Sequence, residues 1–538
     1  MIRHFPASLL AAALLCPAGA WAQTADLPHI ATHDGRHALI IDGAPFLILG
    51  AQANNSSNAP AQLPMVWAAI DKMGANTLEM PVAWEQIEPK EGQFDFSWVD
   101  TLLGEARAHH VRLIPLWFAT WKNGSPHYAP AWVKTDPKRF ARVINAKGEA
   151  IDSLSPLGQA TLAADAKAFA ALMAHLKAVD PQHTVIMVQV ENETGTWGSV
   201  RDFSPLAQKA FDGPVPAALL KARNLKPGTW RQVFGDEADE IFHAWHVARY
   251  VDTVTAAGRA QFDLPMDVNV ALRDPIAPKG PDTYESGGPT DNVLDVWQAA
   301  APHIDVIGPD IYQPDYAHYT AAIDHYDRSG NPLFVPETSR NYATARYMFA
   351  VLGRGGIGFS PFGMDFTADA TSADAIPAAD ADKLQPFADN YHLVGPMMRY
   401  WAKASFDGSV RGSSESDART PDIIDFGDWT VTIRYDKPAF GASDWTNVKP
   451  RPVNPLGADG GVLIARQGPD EFIVTGRMAR VEFTPKTAGR HMQFLSVREG
   501  TLADGQWATH HVWNGDQTDY GLNLSAVQRT LDVRLSTY

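Results

Sequence analysis

The strongest constraint on the fold is a repeated alternation of short apolar runs and longer helical patterns between about residues 40 and 400. The apolar runs are Pro45–Gly50, Asn76–Pro81, Val111–Trp117, Thr184–Glu193, Met266–Ala271, Ile304–Tyr312, Leu333–Glu337 and Gly356–Pro361. The helical stretches include Ala61–Met73, Val99–His109, Gln159–Ala178, Glu237–Phe262, Ala317–Ser329, Arg340–Leu352 and Asp380–Ala402. This alternation predicts βαβ units closed into a parallel (β/α)8 TIM barrel. An open doubly wound sheet is the alternative, but no glycine-rich phosphate loop follows the first strand.

The pattern changes after about Ala404. Strand-like alternation appears at Trp429–Tyr435, Gly461–Ala465, Glu471–Thr475 and Val481–Thr484, with turn residues between the runs. A chain of 538 residues also exceeds what one hydrophobic core usually serves. We therefore predict a catalytic barrel over residues 23–403 and an all-β sandwich over residues 404–538, which either supports the barrel or binds carbohydrate.

Residues 1–22 have the features of a secretory signal peptide. Leu9–Leu15 is an apolar run too short to span a bilayer, and Ala20–Ala22 is an A-x-A cleavage site. The only cysteine, Cys16, lies in this segment and follows Leu15, where a lipoprotein signal needs a small residue. The sequence thus predicts a periplasmic or secreted protein without disulfides, thiol catalysis or a lipid anchor.

Charge and composition exclude several partners and cofactors. The formal net charge of −16 argues against binding nucleic acid or an anionic membrane surface. No later apolar run approaches the roughly 18 residues of a membrane helix. The histidines show no chelating spacing on a plausible helix, so neither a metal nor another cofactor is predicted. The sequence leaves a homo-oligomer open.

Two of the predicted strands end on glutamates. Val188–Glu193 ends the fourth strand, and Leu333–Glu337 ends the seventh. Because barrel strands present their carboxyl ends at one face, Glu193 and Glu337 are expected to lie together. Such a pair suits the hydrolysis of glycosidic bonds, in which one carboxyl protonates the leaving oxygen and the other stabilises or attacks the anomeric carbon.

Glu191 is the rival of Glu193 within the same strand. Side chains alternate along a strand, so both should point to the same side and periodicity does not choose between them. The position nearer the mouth of the barrel favours Glu193. Glu191 is then expected deeper, in a supporting hydrogen-bond network.

Two long connections are expected to shape the cleft. One covers residues 195–236 after the fourth strand, and the other covers residues 273–293 after the fifth. Loops that follow barrel strands lie on the face where active sites form. The first loop contains Trp197, Phe203, Phe211 and Trp230, and this aromatic content favours an ordered wall.

At this point the chain resembles a known family. The residues that carry the resemblance are Val188-Gln189-Val190-Glu191-Asn192-Glu193, the second-strand stretch Asn76–Trp84, and Glu88-Pro89, Gly92 and Phe94-Asp95-Phe96. They are similar to motifs of glycoside hydrolase family 35, the β-galactosidases, within the large clan of retaining glycosidases with (β/α)8 barrels. The resemblance covers most of residues 40–400. The β-domain resembles that of bacterial members that act on xyloglucan side chains.

The resemblance implies a role for each matching residue. Glu193 would be the general acid and then the general base, and Glu337 would be the nucleophile. Asn192 would bind the 2-hydroxyl of the sugar, and Tyr312 would hold Glu337 ionised. A retaining mechanism also implies carboxyl groups about 5–5.5 Å apart, against about 6.5–9.5 Å for inversion.

The chain departs from the family pattern at two places. Pro81 stands where a tyrosine is common, and Thr120 stands where an Ala-Glu pair usually supplies a glutamate. Those residues usually contact galactose hydroxyls. Other side chains are therefore expected to rebuild the pocket: Trp121, Asn123 and Asn54, with Trp117 and Asn55 as further candidates.

Together these features predict a glycoside hydrolase that acts on an oligosaccharide substrate. The first hypothesis is a retaining exo-β-galactosidase that trims plant cell-wall oligosaccharides such as those of xyloglucan. The second keeps the chemistry but changes the sugar, as in a glucanase or mannanase of the same clan. The third is a carbohydrate-binding barrel without catalysis.

Overall fold

The computed structural model describes residues 26–366, 378–436, 457–503 and 506–538, so the predicted signal peptide lies outside the described residues. The strands are β1 (His29–His33), β2 (Arg36–Ile41), β3 (Ala44–Phe46), β4 (Ile48–Gln52), β5 (Thr77–Ala83), β6 (Arg112–Lys122), β7 (Arg142–Ile144), β8 (Ala150–Leu154), β9 (Val188–Asn192), β10 (Met266–Ala271), β11 (Val306–Ile311), β12 (Phe334–Thr338), β13 (Gly358–Pro361), β14 (Val410–Ser414), β15 (Asp422–Asp425), β16 (Trp429–Arg434), β17 (Gly461–Gly468), β18 (Glu471–Arg477), β19 (Ala479–Pro485), β20 (Met492–Ala503), β21 (Gln506–Trp513), β22 (Leu522–Leu524) and β23 (Arg529–Thr537). The helices are α1 (Leu63–Met73), α2 (Trp84–Ile87), α3 (Ser97–Ala108), α4 (Ala131–Lys134), α5 (Gln159–Val179), α6 (Pro205–Phe211), α7 (Ala217–Ala222), α8 (Trp230–Phe234), α9 (Ala238–Arg259), α10 (Leu294–Ala300), α11 (Tyr316–Tyr326), α12 (Tyr347–Gly353), α13 (Ala378–Val394) and α14 (Met398–Phe406).

Eight parallel strands close into a barrel. Their order is β4, β5, β6, β9, β10, β11, β12 and β13, and β13 pairs with β4 to shut the ring. Both faces of these strands are covered, which is why the sequence shows them as near-continuous apolar runs. The barrel confirms the predicted fold class and excludes the open doubly wound sheet.

Helices α5 and α9 form the longest contact in the helical layer around the barrel. A Cβ on Gly258 of α9 would overlap the ring of Phe169 of α5. The glycine therefore allows the two helix backbones to approach closely. Both helices back the strands that end at the site.

A three-stranded antiparallel sheet, β1–β2–β3, precedes the barrel. Leu39 and Ile41 of β2 form one buried cluster with Ile114, Val306 and Phe334 of the barrel strands. The predicted first strand, residues 45–50, divides into the end of β3 and the start of β4. The sequence does not reveal the boundary between β3 and β4, because buried residues of both strands form one continuous apolar run.

The C-terminal region forms the predicted β-sandwich. A six-stranded sheet, in the order β14-β17-β18-β23-β20-β21, faces a four-stranded sheet, in the order β15-β16-β19-β22. Side chains such as Val462 and Val474 of the first sheet share one core with Val431 and Val481 of the second. The opposite face of the six-stranded sheet joins the barrel core through residues such as Leu463. None of the helices in the described ranges is long and apolar enough to cross a membrane.

Candidate active site

Glu193 and Glu337 meet at the carboxyl ends of the barrel strands. Glu193 follows β9 directly, and Glu337 lies in β12, three barrel positions further round. Both are buried, and Asp310 of β11 joins them. One carboxylate oxygen of each residue lies within 4.8 Å of the others. The two glutamates that the sequence singled out are therefore close enough to act on one bond.

Two side chains orient the carboxylate of Glu337. The amide Nε2 of Gln52, at the end of β4, donates to Oε2 over 2.9 Å. The hydroxyl of Tyr312 donates a short hydrogen bond to Oε1. Burial and the charge of Glu337 raise the pKa of the Tyr312 phenol, so it keeps the proton that it donates. Both oxygens of Glu337 thus accept hydrogen bonds, which fix the orientation of the carboxylate.

Glu193 has different surroundings. Its backbone N–H donates to Oδ1 of Asn269 over 2.9 Å, which fixes the turn after β9. Burial raises the pKa of Glu193 to about 8, the charge of Glu337 adds to the rise, and Lys122 opposes it. The Nζ atom of Lys122 lies 3.9 Å from Oε2 of Glu193. Near neutral pH, Glu193 therefore holds a proton that it can donate.

Asp310 is a third carboxyl that the sequence analysis missed. Its Oδ2 accepts from Nδ2 of Asn269 over 2.8 Å. Burial and the charges of Glu337 and Glu193 raise its pKa well above the usual range. It ends the sixth barrel strand, at Pro309-Asp310-Ile311, as Glu337 ends the seventh. That shared position was the available signal.

The three carboxyls are also the candidate cation ligands among the described residues. A divalent cation would need them deprotonated. Burial and mutual repulsion raise the pKa values of Glu193 and Asp310, so protons compete with a cation for this cluster. The raised pKa values thus favour a protonated cluster over a bound cation.

Asn192 lies at the end of β9 and is fully buried. Neither its Oδ1 nor its Nδ2 has a hydrogen-bond partner among the described residues. A buried amide without partners is costly unless a ligand satisfies it. Asn192, which directly precedes Glu193 in the chain, therefore has a donor and an acceptor available for a ligand.

Glu191 does not share the direction of Glu193, so the expectation from strand alternation is wrong. Both residues have left-handed backbone conformations, with φ of 65° at Glu191 and 43° at Glu193, which breaks the alternation at the strand end. Oε2 of Glu191 accepts from the backbone N–H of Trp121 over 2.8 Å. Burial and the nearby Asp165 raise the pKa of Glu191 well above the usual range. Glu191 occupies a buried network behind the cleft, as its deeper position suggested.

The other residues expected to contact sugar have mixed positions. Trp121 is fully buried and packs edge-on against Tyr250, with ring centroids 4.8 Å apart. Both the N–H and Nδ2 of Asn54 donate to Oδ1 of Asp365, at 3.0 and 2.6 Å. Asn123 is exposed in a turn with φ of 54°. Trp121 thus has no exposed face on which a sugar could stack. Asn54 and Asn123 have the features of turn residues.

The first long loop is ordered, as its aromatic content indicated, and the second loop packs against it. The first contains α6, α7 and α8, and Trp230 is buried in it. Thr196 and Ser286 exchange backbone hydrogen bonds of 2.9 and 3.2 Å, which join the loops after β9 and β10. Near this junction, the indole Nε1 of Trp197 donates a short hydrogen bond to Glu285. Glu285 was missed because its stretch carries no motif.

Two family models match parts of the chain. Residues 65–259 match the model of glycoside hydrolase family 42, described as β-galactosidase. This segment contains Glu193 but not Glu337. Residues 387–525 match a domain of unknown function, DUF5597. The first match confirms the predicted enzyme class, a glycoside hydrolase, whereas the finer assignment to family 35 stays a prediction.

Individual relatives are distant. Over 121 residues the chain is 28% identical to Beta-galactosidase 11 of Arabidopsis thaliana, a segment that is 21% of this chain and 14% of the plant protein. Among solved structures, the β-galactosidase of the psychrophilic Marinomonas ef1 has a TM-score of 0.47 at 14% identity, covering 66% of this chain and 61% of that one. The catalytic domain of the β-amylase of Paenibacillus polymyxa also has a TM-score of 0.47, at 12% identity, covering 63% and 96%. Likenesses at this level carry no argument about substrate.

Proposed function

We propose that the protein is a retaining β-galactosidase that removes terminal β-D-galactosyl residues from oligosaccharides. The observation that carries the proposal is the close approach of Glu193 and Glu337 in two unlike environments, with oxygens within 4.8 Å. Retaining glycosidases place their carboxyl groups about 5–5.5 Å apart, whereas inverting enzymes need about 6.5–9.5 Å to admit water. The match to a β-galactosidase model over residues 65–259 supports the choice of sugar.

The first step of this mechanism uses both glutamates. The Glu337 carboxylate attacks the anomeric carbon while Glu193 gives its proton to the glycosidic oxygen, so the leaving group departs as an alcohol. The hydrogen bonds from Gln52 and Tyr312 hold the attacking carboxylate in place. Asn192, whose amide has no partner among the described residues, would bind the hydroxyl next to the reacting carbon.

The second step regenerates the enzyme. Glu193, now ionised, takes a proton from a water molecule, whose oxygen attacks the anomeric carbon and breaks the bond to Glu337. Loss of the proton in the first step leaves Glu193 ready as the base. Two inversions at one carbon give net retention. The stereochemistry of the first-formed product is therefore the sharpest test: NMR should show the β-anomer first, and the α-anomer would contradict the double displacement.

A second candidate changes only the sugar. Thr120, which replaces the glutamate of the family pattern, donates to Oδ2 of Asp165 over 2.6 Å and so contacts the helical layer. Pro81 has no side-chain polar atom. Neither position offers the galactose contact found in the family. This absence favours a glucanase or mannanase as the second candidate. Initial rates on matched chromogenic β-galactosides, β-glucosides and β-mannosides decide between them, and the absence of galactoside hydrolysis would exclude the first candidate.

The natural substrate and location are further parts of the proposal. Resemblance to bacterial xyloglucan-active enzymes and the features of residues 1–22 support an exported enzyme, periplasmic or secreted, that acts from the end of plant cell-wall oligosaccharides. Digestion of galactosylated xyloglucan oligosaccharides should release free galactose alone. Release of longer fragments would contradict the exo mode of action.

Replacing the proposed nucleophile tests whether the protein is an enzyme or a carbohydrate-binding barrel without catalysis. Glu337→Gly should lower kcat/KM by several orders of magnitude, because the covalent path is removed. Added azide should restore turnover by attacking in its place and yield the glycosyl azide. Gln52→Ala is the matched control, since it removes a hydrogen bond to the same carboxylate and should retain far more activity. Equal hydrolysis by Glu337→Gly and the wild type would reject the assignment.

A further inference from the structure

We propose that Trp197, held by Glu285, forms the subsite that binds the first sugar ring of the leaving group. This inference rests on the proposed function, because it assigns a binding partner to the same cleft. Trp197 is 49% exposed, although its indole N–H donates a hydrogen bond to the buried carboxylate of Glu285. A large apolar ring fixed at its edge and open on its surface is suited to stacking against a sugar.

Several contacts make this aromatic platform rigid. Thr196 and Ser286 form an isolated β-bridge between the loops that carry Trp197 and Glu285. Gly195 has φ of 126°, and a Cβ there would lie 2.7 Å from the Glu285 carbonyl oxygen. Only glycine fits that backbone. The loops therefore fix the position of the indole, and little order has to be gained when a ligand binds.

The platform lies on the side of Glu193. A Cβ on Gly124 would lie 3.3 Å from the Trp197 ring and 3.5 Å from the Glu285 side chain. Gly124 itself donates its backbone N–H to the carbonyl of Glu193 over 3.0 Å. Lys122, two residues earlier, lies beside the Glu193 carboxyl. All these groups end or follow the third, fourth and fifth barrel strands.

The chemistry of the acid then identifies the occupant. Glu193 protonates the glycosidic oxygen, and that oxygen is bonded to the leaving group. The nucleophile Glu337 lies at the seventh strand, so the sugar that it attacks lies towards that side. A ring that stacks on Trp197 beside the acid is therefore the ring that departs. The polar side chains of Glu285, beside the indole, and Lys122, beside the acid, suit the hydroxyls of a second sugar better than an apolar group.

The test compares two substrates with the same glycosyl group. One is a disaccharide, and the other is the matching β-glycosyl fluoride, which has no leaving sugar. Trp197→Ala should lower kcat/KM on the disaccharide by about tenfold more than on the fluoride, and Trp197→Phe should lose less. Leu206→Ala is the control, because Leu206 is an exposed apolar residue of the same loop outside the site.

A second readout separates stacking from damage to the acid. Fluoride needs little protonation, so loss of acid function would also spare that substrate. Trp197→Phe and Trp197→Ala both remove the indole N–H that Glu285 accepts, so their alkaline limbs should coincide with each other on the disaccharide. With stacking, only Trp197→Phe retains most of the kcat/KM on the disaccharide. Equal loss by the two variants, or equal loss on both substrates, would overturn the inference. If the wild type hydrolyses neither substrate, the proposed function fails instead, and this inference fails with it.

Discussion

The pKa of the Glu193 carboxyl is set by burial and by neighbouring groups that act in opposite directions. Burial and the charges of Glu337 and Glu285 raise it, and Lys122 lowers it, with the result near 8. As a general acid, Glu193 must be protonated, so kcat/KM should fall as the pH rises through about 8. Substitutions of Lys122 and Glu285 test these opposing effects on the pKa of Glu193.

We predict opposite shifts of the alkaline limb for these variants. Lys122→Met removes a positive charge, which should raise the pKa of Glu193 and move the limb to higher pH. Glu285→Gln removes a negative charge while retaining an acceptor for Trp197, and should move the limb to lower pH. The measurement is kcat/KM against pH for the three proteins. Shifts in the same direction would contradict the assignment of Glu193 as the acid.

Glu193 should also weaken the fold at neutral and alkaline pH. The pKa of Glu193 is higher in the folded than in the unfolded protein. Its contribution to the free energy of unfolding is therefore fully present below about pH 4 and is lost as the pH rises through about 8. Glu193→Gln should therefore raise Tm relative to the wild type at pH 8 and leave it nearly unchanged at pH 4. Thermal unfolding at both values checks this, and a larger gain at pH 4 would refute it.

At the scale of elements, one buried carboxyl joins strands to helices. Asp165 of α5 accepts from Trp117 Nε1 over 2.9 Å and from Thr120 Oγ1 over 2.6 Å. The hydroxyl of Tyr250 on α9 donates to it over 3.2 Å. Burial raises its pKa, and the adjacent Glu191 shares the same network. This network sets the position of the strand ends that carry the site.

Asp165→Ala should lower the free energy of unfolding by about 3 kcal/mol, because it leaves several buried groups without partners. Asp165→Asn keeps the shape and part of the bonding and should lose about 1 kcal/mol. Urea unfolding of both variants measures the difference. If alanine and asparagine were equivalent at this position, the network would have no role in holding the strand ends.

The elements also show what sequence reasoning can reach. The eight barrel strands and the two glutamates were visible because buried strands form apolar runs and polar residues end them. The sheet β1–β3 was missed, since its strands merge with the first apolar run. Lys122 and Asp310 were missed because a lone polar residue at a strand end has no signature until the strands are placed side by side. The direction of Glu191 was wrong because alternation fails at a left-handed residue.

At the scale of the whole molecule, the barrel and the β-sandwich approach backbone to backbone at two glycines. A Cβ on Gly412 of β14 would overlap the backbone carbonyl of Phe349, and one on Gly353 of α12 would overlap Gly412 itself. Arg346 donates to Asp417 over 2.8 Å across the same junction. Such close contact indicates that the β-domain supports the barrel, whatever else it binds.

Gly412→Ala should therefore destabilise both domains together, by about 1–3 kcal/mol, since the extra methyl overpacks the junction. Gly104→Ala is the matched control: Gly104 lies in α3 with open space around it, and alanine there should be neutral or stabilising. Calorimetry of the full chain should show one transition shifted by Gly412→Ala. Two separate transitions, with only the second shifted, would show that the domains are independent.

The pairing of β13 with β4, which closes the barrel, also affects how the chain folds. Gly358 pairs with Ile48, so the last barrel contact joins residues 310 positions apart (358 − 48). Contacts between such distant parts of a chain form slowly. A ribosome that adds about 5–20 residues per second needs roughly 20–70 s to deliver β13. From the synthesis of β4 until that of β13, β4 has an edge without its barrel partner, and such an edge favours aggregation.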